Sequence, residues 1–117
     1  MSQADDVLKI ARAHFDNMRG KKIKIPEWGV SKAKPFIAFF DPPTLRVRQE
    51  IKKRSGNSEA RQIAVTAILC LKDAEGKKIF TDDAPTLDTL ETQVCADVVA
   101  RLSSQVLGLT RGTDLGN

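Results

Sequence analysis

Apolar residues along this chain fall into blocks of two different periods. Over residues 3–19, Val7, Leu8, Ala11, Phe15 and Met18 recur at three- and four-residue intervals, which places them on one side of an amphipathic helix. Ser2 followed by Asp5 fits a loosened capping box at its start, and Gly20 ends it. Ile23 and Ile25 then alternate with lysines, which is a strand period. Phe36-Ile37-Ala38-Phe39-Phe40 is a short apolar run bounded by Pro35 and by Asp41-Pro42-Pro43. Two short strands are predicted here, paired as a small hairpin across Trp28.

The helical period returns after Thr44, a capping residue, with Leu45, Val47 and Ile51 near one face and Arg46, Arg48, Lys52 and Lys53 elsewhere. Ser55-Gly56-Asn57 breaks that helix, and Ser58 caps another from Glu59 to about Leu71. This second helix is apolar around most of its circumference. Such a helix is buried on every side, by its own domain or by a neighbouring copy. A strand over the same residues, paired across Asp73-Ala74-Glu75-Gly76 with Lys77-Lys78-Ile79-Phe80, is the competing reading of residues 61–80; the alanines favour helix. In the turn itself Gly76 supplies a positive φ and Asp73 bonds the nearby backbone. Thr81-Asp82-Asp83 opens a further capped segment, with Pro85 suited to a first helical turn. One last helix is predicted from about Leu87 to Leu107, stopped by Gly108. The pattern as a whole predicts a mainly α, small single helical domain over residues 1–109, with a short β element near residues 22–40 and a flexible polar tail over residues 110–117.

Composition narrows the class. A chain of 117 residues fits one domain, and 41% hydrophobic residues suffice for a modest core. No apolar run reaches the ~18–20 residues of a membrane span, and the polar, acidic Met1-Ser2-Gln3-Ala4-Asp5-Asp6 is no signal peptide. Cys70 and Cys95 lie in apolar helical context without metal-like spacing, as buried free thiols of a cytosolic protein would; a disulfide between them stays open. The net charge of +4 is uneven: residues 19–54 hold eleven basic and three acidic residues, whereas beyond residue 60 there are six basic and eight acidic. That asymmetry suits an acidic partner, or head-to-tail association between copies.

Catalytic chemistry is not legible. His14 is the single histidine, at the edge of the first helix's apolar stripe, and no Ser/His/Asp order, Cys/His motif or metal-spaced cluster stands out. Asp73-x-Glu75-Gly76 lacks the twelve-residue spacing and terminal Glu of a calcium loop. No enzyme, cofactor or metal is expected. Nucleic-acid binding is the alternative function: the basic stretch contains Trp28, Phe36, Phe39 and Phe40, yet it has no zinc-finger spacing and no RNP-type motif. Trp28, the only Trp, follows Pro26, which fixes φ and removes a donor, and precedes Gly29. It lies on a shaped connection, where it either closes the end of a small core or anchors a partner.

The order of these signals resembles a known family. An N-terminal helix precedes Ile25-Pro26-Glu27-Trp28-Gly29; a basic segment with Val47-Arg48 follows; an Ala-rich apolar helix leads into Lys72-Asp73-Ala74-Glu75-Gly76-Lys77-Lys78-Ile79-Phe80-Thr81-Asp82-Asp83; an apolar helix and a short polar tail close the chain. This is similar to the tail assembly chaperones of long-tailed, siphovirus-type bacteriophages, over about residues 5 to 109, with Lys32 to Pro43 departing from the pattern. The resemblance implies a non-enzymatic factor that keeps the helical tape measure protein soluble and helps bring tail tube (major tail) subunits around it. It implies work in the host cytoplasm, absence from the finished virion, self-association into a homo-oligomer, and a longer form made by ribosomal frameshifting. Leu115-Gly116-Asn117 can be encoded CTG-GGA-AAC, which contains the slippery run GGGAAAC. The residues expected to meet partners are Trp28 with Pro26 and Glu27 shaping it, Arg46 and Arg48 on the basic face, and the apolar stripe Ile63, Ile68 and Leu71.

Overall fold

The computed structural model describes residues 3–31 and 33–108. The capping role of Ser2, the tail over residues 110–117 and the Leu115-Gly116-Asn117 site lie outside the described residues. Within them the chain is mainly helical, with five α-helices and one two-stranded sheet. Helix α1 spans Gln3–Met18, strand β1 Lys21–Ile25, and a 3₁₀ turn Pro26–Trp28. Strand β2 is Phe36–Phe40, followed by α2 (Leu45–Ser55), α3 (Glu59–Cys70), α4 (Ala84–Thr92) and α5 (Ala96–Leu107).

The strands pair antiparallel, with Lys22 opposite Phe39 and Ile25 opposite Phe36. Alternation along β1 sends Ile23 and Ile25 into the core and leaves Lys22 and Lys24 exposed. The far edge of β2 is closed by a single residue, Lys72: its N–H donates to the Phe39 carbonyl (2.7 Å) and its carbonyl accepts from the Phe39 N–H (2.8 Å). Residues 59–70 are helical, so the competing strand over residues 61–71 does not form; the turn that follows is closed by an antiparallel bridge between Lys72 and Lys78. Asp73 Oδ1 accepts from the N–H groups of Glu75 and Lys77, and Gly76 has φ +85°.

Three helix starts carry the caps that the sequence predicts. Thr44, Ser58 and Asp83 accept from the N–H groups of Val47, Arg61 and Thr86. Helix α3 is the axis of the fold: Ala64, Val65, Thr66, Ala67 and Ile68 are all buried, and α2, α4 and α5 pack around it. Thr66, wholly buried, donates its hydroxyl to the Gln62 carbonyl (2.7 Å), so the one polar side chain on that stretch is satisfied.

Three expectations are corrected. The last helix is broken: α4 ends at Thr92 and α5 begins at Ala96, with Gln93 outside helical geometry. A continuous helix over residues 87–107 would be about 30 Å long, whereas the twelve-residue α3 that it must cover spans about 18 Å. The break lets both halves pack on α3, and Thr92, whose hydroxyl donates back to the Asp88 carbonyl, sits where the first half ends. Cys95 is exposed at that break while Cys70 is buried, and both are free thiols. Burial pushes the Cys70 thiol up to about 11. Leu45, expected on the inner face of α2, is 89% exposed, because the buried side of that helix runs through Ile51 and Ser55.

Candidate interaction surfaces

Helix α1 is the element that the domain does not cover. It has no buried residue; Val7, Leu8 and Ile10 are 53%, 62% and 68% exposed. Its last turns meet the body, where half-buried Phe15 lines a shallow groove with Pro42, Pro43, Val47 and Leu69. Val7, Ala11, Phe15 and Met18 share one side of the helix with Leu8, and Ile10 flanks them. The apolar stripe is therefore continuous along the helix and is covered at one end only. His14 is exposed on the same helix. A radius of gyration of 15.8 Å, against about 13 Å for a compact chain of this length, agrees with a helix standing off the body.

Asp41 sets where α1 leaves the body. Its Oδ1 accepts from the Gly20 N–H (2.9 Å), and its Oδ2 meets Lys72 Nζ (3.1 Å) and Arg19 Nε (3.5 Å). Partial burial pushes this carboxyl up, but the Gly20 and Lys72 bonds and the two cations outweigh it, so it titrates below the ordinary aspartate value. A depressed folded-state pKa means that the contribution is present above the unfolded value and is lost as pH falls through the folded one. The Gly20 amide shift should therefore follow a titration below the usual carboxylate range, and Asp41→Asn should flatten it. A Gly20 amide that titrates at the ordinary aspartate value would show that this cluster does not hold the helix.

The eight residues singled out in the sequence go to different places. Pro26 opens the 3₁₀ turn and is exposed. Glu27 accepts two bonds from Arg101 of α5, at 2.7 and 3.0 Å, and the Arg101 bond holds its carboxyl below the ordinary glutamate value. Trp28 is half-buried and packs edge-on against Phe80, ring centres 6.1 Å apart and planes at 87°. Together these tie the β element to α5 and to the 72–80 turn, so Trp28 closes the core. Arg46 is exposed, and no other described residue pairs with it. Arg48 donates to the Leu107 carbonyl (2.6 Å), a cation capping the C-terminus of α5. Ile63 is half-buried beside Leu90 and Val94, whereas Ile68 and Leu71 are 2% and 0% exposed. Ile68 and Leu71 are thus core residues and offer no surface to a partner in this fold; the all-round apolar helix is covered by its own domain.

Much of the charge asymmetry is answered within the chain. Arg54 of α2 meets Glu50 and Asp82, and Arg61 of α3 meets Glu91 of α4. Lys21, Lys22 and Lys24 on β1 are exposed and pair with no acidic residue among those described. Phe40 is buried, and Phe15, Trp28, Phe36, Phe39 and Phe80 are half-buried, so among the described residues no phenylalanine or tryptophan ring stands fully in solvent. A cleft of about 390 Å³ between α2 and the end of α5 is lined by Arg48, Ile51, Lys52, Ser55, Gly56, Gln62 and Leu107, with no carboxylate, thiol or imidazole among them. Among the described residues no group of three or more His, Cys, Asp or Glu could hold a metal, and no helix is long and apolar enough to cross a membrane. Comparison with known protein families, with curated proteins and with solved structures found no match.

The surface that sequence reasoning missed is the free end of α1. Its stripe was readable, but a stripe does not say whether the domain will cover it. The two-residue link from Met18 to Lys21 was the available signal: it leaves the helix little room to turn back over the core.

Proposed function

We propose that this chain is a non-enzymatic assembly chaperone of a long-tailed bacteriophage, which coats the tape measure protein and helps recruit tail tube subunits. The observation that carries the reading is the uncovered apolar face of α1. A sixteen-residue helix with no buried face is marginal in water, so its stripe fits a helical client that exposes stripes of its own. Helix-in-groove or helix-on-helix contact of this kind is weak per copy and strong when many copies line one long chain. The resemblance in motif order supplies the identity of the client and of the tail tube protein. The same resemblance supplies action in the host cytoplasm, self-association, absence from the finished virion and a longer frameshifted form; the packing of Trp28 against Phe80 weighs against its serving as a stacking platform in the nucleic-acid alternative.

Co-expression with the long helical tape measure protein of its own genome tests the proposal. A soluble complex that survives high salt is expected, since apolar contact outlasts screening whereas phosphate contact does not. Val7→Asp/Leu8→Asp should change folding stability by less than about 0.5 kcal/mol, as exposed substitutions do, yet reduce recovery of the complex at least tenfold. A complex untouched by that double variant would remove α1 from the reading. A long protein left insoluble beside the wild-type chain would remove the chaperone itself.

A further inference from the structure

β1 has an open hydrogen-bonding edge, and its register fixes which groups face outwards. Phe39 exchanges both of its backbone bonds with Lys72, on the side away from β1. In an antiparallel ladder, residues directly opposite alternate between bonded and non-bonded pairs. Phe39 opposite Lys22 is therefore a non-bonded pair, and so is Ile37 opposite Lys24. The N–H and C=O groups of Lys22 and Lys24 consequently point away from β2. Among the described residues no other strand lies on that side: the sheet has two strands, and the side of β2 away from β1 is taken by Lys72.

The side chains on this edge decide what it accepts. Lys22 and Lys24 stand on the outer face of the sheet, with Ile37 and Phe39 beside them on β2, while Ile23 between them points into the core. Lysines on an edge strand oppose pairing with a like edge: a second copy of β1 would set lysine against lysine, and like charges directly opposite are destabilising. An acidic strand meets the opposite condition. We propose that the open edge of β1 binds an extended segment of a partner protein that carries acidic side chains at alternate positions. Residues of that segment facing Lys22 and Lys24 exchange two backbone bonds with each and place a carboxylate beside each ammonium. The residue between them turns towards the core side at Ile23 and is apolar. The recognised pattern is acidic–apolar–acidic in β conformation, bound by strand addition. This surface is distinct from α1, and the inference stands without the tail-assembly reading.

The test uses the full chain and a fluorescein-labelled nonapeptide with Glu-Val-Glu at its centre, followed by fluorescence anisotropy at low salt and by amide hydrogen exchange. Saturable binding is expected, with exchange slowed at the Lys22 and Lys24 amides. Binding should weaken at least tenfold when both glutamate nitrogens of the peptide are methylated, since this removes the donors and leaves the charge. A Lys-Val-Lys peptide should not bind, and Lys22→Glu/Lys24→Glu should reverse the preference between the two peptides. The proposal is overturned by absence of saturable binding to the wild-type chain. It is equally overturned if the methylated peptide binds as well as the parent, or if the two edge amides exchange unchanged in the complex. Tighter binding of a thymidine oligonucleotide through the same lysines would assign the edge to phosphate instead and also overturn it.

Discussion

Gly29→Ala is expected to lower stability by about 3 kcal/mol, the upper end for an overpacked site. A Cβ at this position would lie 2.3 Å from the Lys34 carbonyl oxygen, 2.6 Å from Pro35 Cα and 2.9 Å from the Phe36 nitrogen. All three are backbone atoms, so no rotamer change relieves the clash. The chain can respond only by moving the start of β2, which breaks the pairing of Phe36 with Ile25 and loosens Trp28 next to the substitution. The φ at Gly29 is −88°, so close approach alone makes the glycine necessary. Urea denaturation checks it: the midpoint should fall with an unchanged slope. An unshifted midpoint would mean that the 29–36 segment does not close as described.

Leu71→Ala should cost a similar amount, about 3 kcal/mol, because a fully buried leucine leaves both lost transfer energy and a cavity. Leu71 has 0% exposure, and its carbonyl accepts from the Ile79 N–H where the 72–80 turn returns to the core. For a domain stabilised by about 5–15 kcal/mol, that is a large share. The measurement pairs with the α1 substitutions. Leu71→Ala should reduce client recovery only in proportion to unfolding, whereas Val7→Asp/Leu8→Asp should reduce it in a chain that melts normally. Normal melting of Leu71→Ala with loss of client would return Leu71 to the surface.

That contrast shows what was legible in the sequence. Local chemistry was: Thr44, Ser58 and Asp83 each cap a helix because a short oxygen-bearing side chain before an apolar run has one best use. The alternation at residues 22–25 was legible for the same reason, since a period of two admits one orientation of Ile23 and Ile25. What failed was anything decided by a neighbour. An apolar stripe reads alike whether it faces a core or a client, so Ile68 and Leu71 looked available and the free end of α1 did not stand out. The break before Ala96 follows from the length of α3, which no window over residues 87–107 contains. Arg48 looked like a basic-face residue because its partner, the Leu107 carbonyl, is 59 positions away.

The pairing of Glu27 with Arg101 spans 74 positions, and this sets an order of events on the ribosome. Helices α2 to α5 contact near neighbours along the chain and can assemble quickly. The segment made first, from α1 to Trp28, waits for Phe80 and Arg101 before its clasp can close. For that interval the Glu27 and Trp28 side chains are without their partners. Neither the stripe of α1 nor the outer edge of β1 depends on that clasp, so both are offered before it closes and stay offered afterwards.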